Sequence, residues 1–330
     1  AAADNGADSC VNVTSGTAGT SVPPAATTTT PVPSPAPAPA PAPTPATSAE
    51  YGIWVWDSAY AMTAAKQASV IDTAANGGFN VIYLTIDDYL TTADANKPAY
   101  AAALSSFISQ ANARGISVDS VSGWRDWAKT ANRQKGYTLI TFVDEFNKSH
   151  ANKIRSFQYD VEPYLLPEYE TNKSTVLTDF LTFIDESSTR LANVDVRFSV
   201  VIPHFYDKAQ NWTPQISYGG QTASTYTHLL RILDKRPGGS ILIMAYRNQA
   251  AGNDGSIQLS KVEVDEAQGH ATKVLVAQET GNVEPSYVTF YGTSKATLAT
   301  QVAAIRAAFA GNSGFGGISI HYLDPYAALK

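Results

Sequence analysis

From about residue 50 to residue 330 the chain alternates eight short apolar runs with longer stretches whose apolar residues recur at helical spacing. That rhythm restricts the fold more than any other feature. The runs cover residues 51–57, 79–87, 116–122, 154–162, 196–204, 240–247, 273–280 and 317–322, and helical patterns fall between them at 61–75, 100–114, 173–192, 225–235, 261–270 and 295–310. Strands that alternate with helices must pair in parallel, because each helix carries the chain back across the sheet. Eight such units in roughly 280 residues are expected to close into a (β/α)8 TIM barrel, whereas a doubly wound sheet usually stops at five or six strands. No Gly-X-Gly-X-X-Gly loop competes with this reading. The Gly314-Phe315-Gly316-Gly317 stretch follows a helix and is expected to act as its C-cap and turn.

Residues 1–49 have a different character. A Thr run at Thr27 to Thr30 is followed by alternating Pro and Ala from Pro35 to Pro45. Proline at every second position removes backbone donors and favours polyproline II, so this segment is expected to be a disordered or extended leader or stalk rising ~3 Å per residue. The barrel domain is then 50–330. Dense Ser, Thr and Pro suit O-glycosylation and surface attachment, and Val11-Asn12-Val13-Thr14 reads as a short docking or self-assembly strand. The opening Ala1-Ala2-Ala3-Asp4 has neither Met nor a hydrophobic signal core, as in a mature exported chain, so a secreted or extracellular surface location is expected. The single cysteine, Cys10, permits no internal disulfide and reads as an unpaired or intermolecular thiol. Asn-X-Ser/Thr sequons begin at Asn12, Asn147, Asn172 and Asn211.

Charge excludes several partners. The net charge is −6 and the 23 Lys and Arg residues are scattered, so no cationic face awaits nucleic acid. No apolar run approaches the ~20 residues of a membrane span. The five histidines show no metal-ligand spacing, and no metal or cofactor is expected.

The run 154–162 ends in Asp160-Val161-Glu162. Strand side chains alternate with period two, so Asp160 and Glu162 point to one side while Val161 points away. Barrel enzymes carry their sites at the carboxyl ends of the strands. The residues expected there are Trp54, Trp56, Asp87, Tyr164, His204, Tyr206, Tyr246, Arg247, Gln278, Glu279, His321, Tyr322 and Asp324. Aromatics stack on the apolar faces of pyranose rings, and acids and amides hold the hydroxyl rims. Two mechanisms fit. In both, Glu162 is the acid that protonates a glycosidic oxygen. Its partner is either Glu279, acting as nucleophile from about 5 to 5.5 Å, or Asp160, which would orient a substrate N-acetyl group with help from Tyr246. Asp160 is also expected to raise the proton affinity of Glu162 by like-charge repulsion.

Asp160-Val161-Glu162 resembles the end of the acidic strand-four signature of family 18 glycoside hydrolases, and Met244-Ala245-Tyr246 is similar to their strand-six motif. Gln158 stands where that signature has an acid, and Arg247 where the motif has Asp. The pairing of Glu162-Pro163 with Glu279-Thr280-Gly281 resembles the retaining barrel glycosidases that place the acid/base on strand four and the nucleophile on strand seven. The stretch from Gln158 to Pro167 looks like that of uncharacterised bacterial barrels of this superfamily. These resemblances imply a glycoside hydrolase acting on a polysaccharide. The alternative is a non-catalytic carbohydrate-binding or structural surface protein on the same barrel.

Overall fold

The computed structural model describes residues 49–207 and 212–330. The leader expected over 1–49, with Cys10 and its docking strand, lies outside the described residues apart from Ala49, as do Asn12 and Asn211. Eight parallel strands close the barrel: β1 (Glu50–Val55), β2 (Val81–Thr85), β3 (Ser117–Ser122), β4 (Ser156–Tyr159), β5 (Arg197–Pro203), β8 (Ser240–Met244), β9 (Lys273–Glu279) and β10 (Phe315–His321). Each pairs with its neighbours in chain order, and β10 returns to β1. A two-stranded hairpin, β6 (Ile216–Tyr218) and β7 (Gln221–Ala223), interrupts the rhythm after β5.

Among the described residues, seven α-helices lie between the strands and an eighth follows the last. They are α1 (Ala64–Asn76), α2 (Lys97–Ala113), α3 (Arg133–Ser149), α4 (Lys173–Arg190), α5 (Thr225–Leu233), α6 (Ser256–Glu266), α7 (Lys295–Ala308) and α8 (Leu323–Ala328). Thr63, Ser224 and Ser294 begin α1, α5 and α7 by accepting the backbone N–H three residues on, each cap contributing about 1 kcal/mol. No described helix is long and apolar enough to cross a membrane. The glycine stretch differs from expectation: Phe315, Gly316 and Gly317 already belong to β10, which bulges between Phe315 and Gly317. Gly314 sits where a Cβ would meet the Val264 carbonyl of α6 at 2.1 Å.

Two cores follow from strand alternation. Outward residues such as Phe157, Tyr159, Phe198 and Val276 pack under the helices, while Trp54, Val81, Tyr83, Val121, Val201, Leu242, Leu275 and Ala277 fill the barrel. At its amino-terminal end the interior turns polar. Arg155 holds both oxygens of Asp119 at 2.7 and 2.6 Å and Glu50 at 2.7 Å, tying β1 and β3 to the start of β4. The sequon at Asn147 is spent inside the fold, since its buried amide bonds both the N–H and the carbonyl of Ile154, whereas Asn172 is exposed.

Candidate active site

The strands end sooner than their apolar runs suggest, so most of the acids stand in the turns just past the sheet. Parity nevertheless persists. Trp54 donates its indole N–H to Gln158 Oε1 across the barrel at 2.9 Å, fixing Gln158 as inward. Asp160 and Glu162 continue that parity past the end of β4. Leu275 and Ala277 face inward on β9, which brings Glu279 inward at its end.

Glu279 is 4% exposed and held at both oxygens. Oε1 accepts the Gly281 N–H at 2.5 Å, and Oε2 lies 2.7 Å from His321 Nδ1. The Trp56 indole, which can only donate, lies 3.0 Å from His321 Nε2. Nε2 is therefore the acceptor and Nδ1 carries the proton, so His321 donates to Glu279. The chain Trp56, His321, Glu279, Gly281 fixes the tautomer and the carboxylate together. Tyr246 stacks on the same imidazole with ring centroids 6.1 Å apart, and Tyr322 lies 4.8 Å from it.

The other acids gather around this frame. Burial, then the charges of Glu279, Asp160 and Glu162, push the Tyr246 hydroxyl far above its ordinary range, so all three carboxyls lie near enough to act on one phenol. Asp160 is half-buried, with Oδ1 shut from solvent and unpartnered among the described residues. Burial, reinforced by the charge of Glu162 and, more weakly, Asp87, raises its carboxyl from 3.8 to about 7, against an opposing pull from His321. Burial likewise raises Asp87 to about 6, although Gly123 N–H donates to it at 3.5 Å. Glu162 accepts the hydroxyl of Tyr164 on Oε1. Asp160 thus keeps its proton toward neutral pH.

A testable consequence concerns stability. A carboxyl raised in the folded state contributes stability that is complete below its unfolded value and is lost as pH rises through the folded value, here between 3.8 and about 7. Asp160→Asn is expected to raise the melting temperature at pH 8 and to leave it nearly unchanged at pH 3.5. Full conversion of the shift is about 4 kcal/mol, and roughly half survives solvent screening at a half-buried group. Equal melting shifts at both pH values would refute the assignment.

The structure also redistributes the expected ligand contacts. Trp56, Asp87, Tyr164, Tyr246, His321 and Tyr322 surround the acids or touch their partners. Trp54 is 1% exposed and packs on Tyr83 beneath them, as floor and not as contact surface. Gln278 has the opposite parity to Glu279 and points into the helix layer, bonding Ser256 of α6 and the Ala245 carbonyl. Tyr206 is fully buried against Phe180. His204 is also buried, and burial with the charge of Arg247 lowers it to about 4, leaving a neutral ring near neutral pH. Arg247 forks onto Asp254 at 3.0 and 2.8 Å and lies over Tyr287, while Asp324 pairs with Lys66 on the rim at 3.4 Å. Phe205 also lies at the rim, and Trp212 and Tyr287 are rim aromatics absent from the expected contacts. Trp212 is 57% exposed and Trp124, past β3, is 55% exposed.

No protein-family model matches the sequence, and no curated protein matches it. Solved structures do. An endo-1,4-β-mannanase from Rhizomucor miehei superposes with a TM-score of 0.57 at 12% identity, over 83% of this chain and 85% of that one. The exo-β-1,4-mannosidase from Opitutaceae bacterium strain TAV5 gives 0.53 at 13% identity over 83% of this chain, which spans about half (52%) of the mannosidase. The fold is a TIM barrel. A chitinase from Chromobacterium violaceum is also similar, with a TM-score of 0.49 at 13% identity over 85% of this chain and 97% of that one. Within this barrel, the acids occupy the ends of the fourth and seventh barrel strands, β4 and β9.

Proposed function

We propose that this protein is a secreted or surface-tethered glycoside hydrolase acting on a polysaccharide by a retaining double displacement. The observation that carries the reading is Glu279, inward at the end of β9 and fixed by the N–H groups of His321 and Gly281, in one field with Glu162 and Asp160. Glu162 protonates the glycosidic oxygen as Glu279 attacks the anomeric carbon and the leaving sugar departs. Glu162, now ionised, takes a proton from water, which displaces Glu279 and frees the product. The Ser, Thr, Pro and Ala composition of residues 1–49 supports export and tethering.

The test is release of reducing ends from a panel of mannans, glucans, xylans and chitins, with the anomer of the first product read by NMR. No release from any member, or an inverted first product, would refute the double displacement. Because Asp160 stays protonated up to about 7, a titration in kcat/KM is expected near that pH and is expected to be lost in Asp160→Asn. A titration unmoved by that substitution belongs to another group.

A second reading, a non-catalytic carbohydrate-binding barrel, is favoured by one feature. Two roomy cavities among the described residues are lined by none of the three acids. One of about 630 Å³ opens at the amino-terminal end beside Glu50, Arg155 and Lys273, and one of about 740 Å³ lies on the rim beside Asn172 and Trp212. Binding without reducing-end release would select it.

A further inference from the structure

Beside Glu162 lies a pocket of about 220 Å³ that the acid chemistry does not use, lined by Tyr164, Tyr169, Glu170, Lys173, Phe205 and Trp212. Four of its six walls are aromatic. Phe205 lies edge-on to Tyr164 at 5.4 Å and tilted to Trp212 at 5.8 Å, so the rings form a bent trough, not a filled core. Its polar groups are placed by other contacts: Lys173 pairs with Glu170 at 3.0 Å and donates to the Trp212 carbonyl at 3.3 Å. The charges cancel, leaving donors and acceptors without a net field. The Tyr169 hydroxyl is buried and unpartnered among the described residues. The volume falls below the ~300 Å³ at which pockets for drug-sized ligands begin, and suits a single ring.

We propose that this pocket is a subsite for one uncharged pyranose residue on the leaving-group side of the scissile bond. The side rests on the hydrolase reading above. The sugar under attack must lie against Glu279, on β9, with His321, Trp56 and Tyr246 around it. The chain then passes Glu162, and the pocket lies beyond that acid on the β4 and β5 side, joined to it by Tyr164, whose hydroxyl bonds Glu162 and whose ring forms a wall. A pyranose there stacks its C–H face on Trp212 and offers hydroxyls to Glu170 and Lys173.

The test separates the subsite from the reaction. Titration calorimetry on the full chain carrying Glu162→Gln, with mannohexaose, cellohexaose, xylohexaose and chitohexaose as probes, is compared with the same protein also carrying Trp212→Ala. The tightest probe is expected to bind three- to ten-fold more weakly to the double variant, roughly the strength of one lost stacking contact. Trp212→Phe should restore most of the affinity, and the matching disaccharide, too short to reach both sides, should show no dependence on Trp212. Trp212 is largely exposed, so its removal is not expected to unfold the barrel. Unchanged affinity in Trp212→Ala, or no binding by any probe at millimolar concentration, overturns the subsite. Hydrolysis by the unaltered protein with unchanged affinity would leave the hydrolase standing without it. Binding that depends on Trp212 without any hydrolysis would instead remove the enzyme and keep the pocket as a sugar site.

Discussion

Glu279→Gln is expected to lower kcat on the best polysaccharide substrate by on the order of 10⁴-fold or more, with KM changed little. The amide keeps the shape and still accepts the His321 N–H, but its oxygen is too weak a nucleophile to form a glycosyl ester. A structural role makes a different prediction. Were Glu279 only the anchor of the Thr280-Gly281 turn, the substitution would lower the melting temperature and cost a modest share of activity. Glu279→Ala distinguishes the two further. It leaves a small space beside the anomeric carbon, so added azide is expected to restore turnover and yield a glycosyl azide. Near-normal kcat in Glu279→Gln, with no azide effect in Glu279→Ala, would remove the nucleophile from the mechanism.

His321 gives that experiment a second readout. Its Nδ1–H reaches Glu279 only while Trp56 donates to Nε2. Trp56 therefore acts on the nucleophile through the imidazole, which is a positioning role. The arrangement joins the first, seventh and eighth barrel strands, β1, β9 and β10, and it could not be read from any one segment.

Much of the barrel was legible, for a definite reason. Strands buried on both faces must be apolar throughout, and eight such runs stand out against the polar loops. Helix α3 was not singled out because its first turns, Arg133-Gln134-Lys135-Gly136, look like a breaker. Gly136 is there for packing, since a Cβ would come within 2.8 Å of Phe183 and Tyr159. The β6–β7 hairpin did carry a sequence signal. Gly219 and Gly220 both take positive φ, at 58° and 77°, as a two-residue turn between antiparallel strands demands.

The site was less legible, and the errors share one cause. Consecutive residues at a strand end were taken together, although alternation sends only every second one inward. From Leu275 and Ala277, period two admits Glu279 and rejects Gln278. Counting parity from the deep interior outward would have separated these residues. The pairing of Arg247 with Asp254 and of Asp324 with Lys66 lay beyond any such rule, because it depends on where loops fold over the rim.

Glu162→Gln is expected to lower kcat by about 10²- to 10⁴-fold on substrates with a sugar leaving group, the usual worth of a positioned acid. Much smaller losses are expected on aryl glycosides whose phenolate leaves without a proton. That contrast identifies the role, because a substitution that only disturbed packing would slow both substrates alike. Glu162 lies outside the ladder of β4, and the described hydrogen bond of its side chain comes from Tyr164, which can donate equally to the glutamine carbonyl. The fold should therefore survive, and melting curves should overlay within a few degrees. With the aryl substrate, the second step still needs a base to activate water, so a glycosyl-enzyme on Glu279 should accumulate and be detectable by intact mass. Equal slowing of sugar and aryl leaving groups, with no trapped intermediate, would mean that another group delivers the proton, and Asp160, already protonated up to about pH 7, would be the first to examine.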